Sequence, residues 1–171
     1  DVYKRQIVLG ALVFIVLIAG VIVFRMPLPD HEIDVSGLPL NDFVEIIRDD
    51  RGVPHIYGTN VDDILFAQGY VHAQDRFWQL EFWSHLSTGR LASLIGEPGI
   101  GADLLFRTYG FNRVALKEYE EMSPEMKNDL IQYTKGINAY INSRPQRALS
   151  LEHFFLTFIN PDYVVDEYLP Y

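Results

Sequence analysis

The chain has 171 residues, enough for one modest domain or for part of a larger one. It carries 14 basic and 23 acidic side chains, a formal net charge of -9, which opposes nucleic-acid binding and leaves no polybasic patch for anionic lipid. It has no cysteine, so thiol catalysis, disulfides and Cys-type metal sites are excluded.

The opening Asp1-Val2-Tyr3-Lys4-Arg5-Gln6 lacks an initial Met and looks like a translated sequencing-library adapter, so residues 1–6 are set aside as an artefact. Residues 7–24, IVLGALVFIVLIAGVIVF, contain no charged or hydrogen-bonding side chain. As a helix they reach about 27 Å, close to the roughly 30 Å hydrocarbon core of a bilayer. A buried core helix would show at least one polar position. A cleaved signal peptide has a shorter apolar run that ends in a small-x-small site, whereas bulky apolar residues continue past Ala19-Gly20. The segment is therefore read as an uncleaved transmembrane anchor with the lipid bilayer as its partner. The folded part is expected outside the cytoplasmic membrane.

Residues 25–42 read as a linker, interrupted by Pro27, Pro29, Gly37 and Pro39. The folded part is expected over 43–171. FVEIIRD (43–49) and VPHIYG (53–58) predict two strands joined by a turn at Asp49-Asp50-Arg51-Gly52, with Pro54 confining the second to an edge or a late start. Asn60 as N-cap, with Asp62 and Asp63 in the first turn, starts a helix predicted from Val61 to about Ser87 and ended by Gly89. GEPGIG (96–101) is predicted to be a flexible loop without the Lys-Ser/Thr of a phosphate loop. Further helices are predicted over roughly 111–122 and from Ser123-Pro124 onward, the latter with Met126, Leu130, Tyr133, Ile137 and Tyr140 facing inward. A polar connection at 143–150 leads to the apolar LEHFFLTF.

Few side chains suggest chemistry. Gln68, His72, Asp75, Arg76 and Gln79 form a polar stripe on the long helix. One reading makes His72 a general base oriented by Asp75. The favoured reading is a buried structural network, because no nucleophile accompanies the pair. Glu81 and His85 stand four residues apart, as two metal ligands on one face would, but lack a third ligand and are assigned to a solvated helix end. His55 and His31 have no sequence-local carboxylate suited to catalysis, and Ser84 points away from its neighbour His85. No active site emerges from these residues alone.

Three segments, VEIIRDDRGVPHIYG (44–58), FAQGYVHAQDRFWQLE (66–81) and GRLASLIGE (89–97), together resemble the N-terminal, α-subunit region of the penicillin acylase (penicillin amidase) family. The resemblance continues through SPEMKNDLIQYTKGINAYI and covers about residues 43–165. Where the family often has a Trp in an acidic-Pro context, this chain has Pro161-Asp162-Tyr163. The resemblance implies an α+β fold class: an incomplete part of an N-terminal-nucleophile hydrolase, whose two sheets lie between helix layers. This part is mostly helical and preceded by one transmembrane helix.

Such enzymes are made as a precursor (a zymogen) that cleaves itself into α and β subunits. The new N-terminal residue of the β subunit, usually Ser, attacks an amide carbonyl with its own α-amine as base. The resemblance implies that the nucleophile, the acyl-pocket residues and the acidic ligand of a structural calcium all lie downstream. No catalytic, cofactor-binding or metal residue is then assigned to this chain, which alone is expected to be inactive. The implied partners are the rest of its own precursor and a small N-acyl amide, with penicillin-type amides and acyl-homoserine lactones both open. Two rivals are a membrane-anchored, non-catalytic scaffold or binding module of the same fold and a hydrolase using His72 and Asp75.

Overall fold

The computed structural model describes residues 2–28 and 38–171. Asp1 and, from the predicted linker, Pro29, His31 and Gly37 lie outside the described residues. Helix α1 (Val2–Arg25) takes in the apolar run and most of the adapter-like stretch before it. It is long and apolar enough to cross a membrane, with a mean hydropathy of 3.3 over 18 residues.

Strands β1 (Val44–Arg48) and β2 (Pro54–Gly58) pair antiparallel, with Ile46 opposite Ile56 and Arg48 opposite Pro54. Pro54 takes the first position of its strand, where its missing donor costs little. The Asp49 carboxylate closes the turn by accepting from the main-chain N–H groups of Arg51 and Val53, both at 2.9 Å. The alternating pattern turns Val44, Ile46 and Ile56 toward the long helix that follows.

That helix, α2 (Val61–Ser87), is the spine of the fold, and its ends carry local chemistry. Asn60 accepts from the Asp63 N–H at 2.9 Å, while the buried Asp63 carboxylate accepts from the main-chain N–H groups of Asn41 (3.0 Å) and Asp42 (2.8 Å) and from the Asn60 side chain (2.6 Å). Burial opposes ionisation of Asp63, but these donors outweigh it and hold the carboxyl below its usual 3.8. At the other end Gly89 adopts φ +68°, so that Arg90 N–H reaches the His85 carbonyl at 2.7 Å and Gly89 N–H reaches that of Leu86 at 3.0 Å. Inside α2 the helical dihedrals break at Arg76 (φ −137°, ψ 30°).

Short helix α3 (Ala92–Ile95) leads through a 3₁₀ turn at Glu97–Gly99 into α4 (Ile100–Tyr109) and α5 (Phe111–Glu121). Buried Asp103 accepts from the N–H groups of Leu91 (2.6 Å) and Ala92 (3.0 Å), which ties the start of α3 to α4. The predicted loop at GEPGIG is thus this 3₁₀ turn and the start of a helix. Its glycines mislead because Gly101 sits in the helix with open space beside it.

Helix α6 (Pro124–Ser143) begins as predicted, with Ser123 accepting from Met126 N–H at 3.2 Å and Pro124 in the first turn. Met126, expected to face inward, is exposed, and the helix first meets α2 just beyond it, where the Asn128 side chain donates to Asp62 at 2.8 Å. Helix α7 (Leu151–Ile159) follows a second 3₁₀ turn at Gln146–Ala148. Residues 160–171 then run without regular structure among the described residues.

The core forms where α6 crosses α2. Tyr70, Ala73 and Phe77 of α2 meet Ile137 and Tyr140 of α6, joined by Leu149 and Val165. Tyr70 and Tyr140 stack edge to face at 5.5 Å between ring centroids. Backbones approach this closely only because each helix offers a glycine to the other. A Cβ on Gly69 would run into the main-chain carbonyl of Tyr133, and one on Gly136 into that of Phe66.

This reciprocal notch generates a prediction. In the complete protein, Gly69→Ala or Gly136→Ala is expected to lower stability by about 3 kcal/mol or more, since backbone cannot retreat as a side chain can. Gly101→Ala, in a helix with no neighbour within 4 Å, is expected to raise stability by about 0.5–1 kcal/mol. Denaturant unfolding of the three variants checks both signs.

Candidate functional site

The polar stripe of α2 is exposed: Gln68, His72, Asp75, Arg76 and Gln79 all reach solvent. It is not the buried network that the sequence suggested, because the apolar residues between these positions occupy the packed faces. Nor does it join His72 to Asp75. The His72 Nδ1 lies 2.9 Å from the Tyr133 hydroxyl of α6. Asp75 turns the other way and receives both terminal nitrogens of Arg48 in β1, at 2.7 and 2.9 Å. Buried Gln74 also accepts from Arg48, at 2.7 Å. The paired fork and carboxylate fasten the hairpin to the helix, with fixed geometry at both ends. The stripe therefore locks helix to sheet and helix to helix through two separate contacts.

Glu81 and His85 are the larger surprise. Both are buried, Glu81 to 1% exposure, and neither lies at a solvated end. Glu81 accepts from the Tyr163 hydroxyl through one carboxylate oxygen and from the Tyr168 hydroxyl, at 2.7 Å, through the other. The His85 Nδ1–H donates to the Glu81 main-chain carbonyl at 3.0 Å, which fixes its tautomer. The two tyrosines belong to the irregular C-terminal stretch, which Asn138 also holds. Its side chain donates to the Tyr168 carbonyl (2.8 Å) and accepts from the Tyr168 N–H (2.9 Å). Burial, reinforced by the adjacent Glu81 carboxylate, pushes both tyrosine hydroxyls well above their usual range, so they stay donors.

Beside this cluster sits His153, fully buried among Phe77, Trp78 and Tyr163. Its Nδ1 meets the Ser150 hydroxyl at 2.9 Å, and its Nε2 has no hydrogen-bond partner. Burial pushes the imidazole below its usual 6.5 despite the opposing pull of Glu81 and Glu152. His153 lies within an apolar run that marks α7 as a plain core segment, and its three-residue spacing from Ser150 is a local sequence signal for the pair.

The remaining candidates are soon placed. His55 does find a carboxylate: its Nε2 lies 3.5 Å from Asp49 across the hairpin, both exposed. Ser84 lines a groove of about 770 Å³ that His72, Arg76, Leu80, Trp83 and Tyr133 also border, without meeting a base. Among the described residues no group of three or more His, Asp or Glu side chains is placed to hold a metal ion. The hydroxyl that His72 meets beside this groove is the Tyr133 phenol, which burial holds above its usual range and so protonated, and in the Ser150–His153 pair the imidazole is sealed in the core. Among the described residues these contacts fasten elements to one another.

Comparison with known proteins gives this framework its relatives. A family model described as penicillin amidase matches residues 43–169. A penicillin acylase 2 proenzyme from a Pseudomonas species is 37% identical over 100 residues, 58% of this chain and 13% of the relative. The acyl-homoserine lactone acylase QuiP of Pseudomonas putida is 36% identical over 107 residues, 63% of this chain and 13% of the relative. Penicillin G acylase of Escherichia coli is 31% identical over 109 residues, again 13% of its length. This chain thus matches only a small part of these relatives. The solved thermostable penicillin G acylase of Alcaligenes faecalis superposes with a TM-score of 0.55 at 21% identity, over 70% of this chain and 72% of that one, a likeness of fold.

Two predictions separate fastening from catalysis. Asp75→Ala leaves the largely buried Arg48 guanidinium with Gln74 and the Gly52 carbonyl but without its counter-charge, and is expected to cost about 1–3 kcal/mol. Glu81→Ala strands two tyrosine hydroxyls and is expected to cost more. In either variant, correctly matured enzyme should keep most of its turnover per active site; a loss of several orders of magnitude with normal stability would make the residue catalytic. The second prediction concerns pH. His153 takes up a proton more readily unfolded than folded, so its contribution is complete above pH 6.5 and is lost as pH falls below that value. Between pH 7 and pH 5 the stability of the His153→Phe variant should fall less steeply than that of the parent; equal slopes would remove His153 from the account.

Proposed function

This chain belongs to the penicillin amidase family, and from that membership we propose that it is the N-terminal, membrane-tethered part of an amide hydrolase acting on linear N-acyl bonds. The family match across 43–169 is the observation that carries the reading. Relatives bearing the names penicillin acylase and acyl-homoserine lactone acylase support an N-acyl amide as substrate, since both names describe removal of an acyl group from nitrogen. The relative named a proenzyme supports synthesis as a precursor.

In this proposal self-cleavage downstream exposes a Ser as the new N-terminus of a β subunit. Its hydroxyl oxygen adds to the amide carbonyl while its own α-amine takes the proton. Donors on the β subunit hold the oxyanion, the amine leaves with the proton, and water then releases the carboxylic acid and restores the Ser. The residues described above give the β subunit a rigid wall, and its strands extend the β1–β2 hairpin into the sandwiched sheets of an N-terminal-nucleophile hydrolase. In this proposal any structural calcium of the full-length enzyme would take its acidic ligand from the downstream part. Helix α1 spans the cytoplasmic membrane and leaves the folded part outside.

Expression from the complete reading frame tests this. Mass spectrometry should find two chains, the second beginning with Ser, and the matured protein should hydrolyse phenylacetyl amides, long-chain acyl-homoserine lactones, or both. Replacing that Ser by Ala should leave an uncleaved, inactive precursor. Turnover by an uncleaved chain, or by residues 30–171 alone, would sink the proposal and return the search to His72 and its neighbours.

A further inference from the structure

Helix α7 presents an apolar face that nothing in the described chain covers. Phe155, Phe158 and Ile159 lie three and four residues apart, hence on one side, at 52%, 80% and 80% exposure. The opposite side, with His153, is sealed against α2. The position of this face relative to α1 decides what it meets.

Helix α7 rests against α1. Towards the end from which the chain passes into the folded part, Val23 of α1 and, just past the helix, Met26 and Pro27 lose exposure. Val23 belongs to the uninterrupted apolar run, and Arg25 is the first charge beyond it. At 1.5 Å per residue, Val23 lies about 3 Å deeper along the axis than Arg25. A helix packed against this end of α1 therefore lies at the level where a charged side chain meets the headgroups.

We infer that the tip of α7, through Phe155, Phe158 and Ile159, inserts into the outer leaflet beside α1, so that the folded part is seated on the membrane at two points. The inference rests on the reading of α1 as a bilayer span. The occupant of this face is the apolar boundary of the leaflet and not an anionic lipid. Glu152 in the first turn of α7 and Asp162 three residues past its end are the acidic side chains next to this helix in the chain, and acidic side chains are repelled by a negative surface. Aromatic and branched side chains at an interface supply apolar burial without needing attraction between charges. The consequence is orientation: a helix that merely tethers leaves a domain free to swing, whereas a second contact fixes which side faces the lipid.

Site-directed spin labelling of the full-length protein in phosphatidylcholine vesicles tests this. Labels are placed one at a time through Phe158→Cys and Ile159→Cys, at Val16→Cys within α1, and at the exposed Glu121→Cys of α5 as an aqueous reference. Accessibility to oxygen is compared with accessibility to a water-soluble nickel chelate. Labels at 158 and 159 are expected to favour oxygen several-fold over the chelate, as at 16, while the label at 121 favours the chelate. Labels at 158 and 159 open to the chelate, or closed to both reagents because another part of the polypeptide or a second copy covers them, would overturn the inference while a lipid-exposed 16 leaves the span intact. A label at 16 open to the chelate would instead overturn the span itself, and the α7 inference with it.

Discussion

The crossing of α2 and α6 sets the terms for everything else. Each helix gives up a side chain, at Gly69 and Gly136, and each places the freed space against a carbonyl of the other. Interiors are packed densely enough that two backbones so close define their separation and crossing within narrow limits. The aromatic pair Tyr70 and Tyr140 fills the volume immediately beside the notch. The glycines are costly in helix propensity, roughly 1 kcal/mol each. That cost is offset by the apolar contact they permit along the whole crossing, where one fully buried large side chain contributes about 1.5–3 kcal/mol.

The polar side chains on α2 serve the same spine. Arg48 joins the hairpin to Asp75, Tyr133 joins α6 to His72, and Glu81 joins the C-terminal stretch through two tyrosines. Such groups hold one geometry well because any shift leaves a partner unsatisfied. A catalytic acid or base needs an open face from which a substrate proton is reached. Glu81 is sealed, and Asp75 is committed at both oxygens. The chemistry that looks most reactive in the sequence is thus spent on fixing relative positions.

What the sequence made legible follows the range of the interactions involved. The limits of α2 read correctly at both ends because Asn60, Asp62, Asp63 and Gly89 act within a few residues of themselves. The start of α6 read correctly for the same reason, through Ser123 and Pro124. The partners of the polar groups did not. Arg48 and Asp75 are 27 residues apart, and Glu81 is 82 and 87 residues from its two tyrosines. No periodicity encodes such a meeting, so Glu81 looked solvated when it is sealed. Helix α4 was hidden by glycines that signal turns locally, although Gly101 is tolerated where nothing packs. The family resemblance succeeded where spacing failed, because three motifs in order are a long-range signal of another kind.

The surface of this fold bears on what kind of object it is. Leu104 and Tyr109 of α4 and Phe111 and Val114 of α5 are apolar and open, and Leu80, Trp83, Met122 and Leu130 add apolar lining to the 770 Å³ groove. A monomeric soluble domain rarely leaves contiguous patches on this scale, and a lone pair of strands seldom stabilises a core. Yet the fastenings around α2 are complete, with a fully formed core crossing beneath them. A frame that is rigid inside and apolar outside is suited to being one wall of a larger interior. On the function proposed above, the same reasoning gives its locked ionisable groups a use: a wall beside a reacting centre would transmit any looseness directly to it, and displacements near 1 Å are enough to cost a reaction about a hundredfold. The two helix glycines and the Glu81 clasp are therefore the features that hold this frame to one geometry.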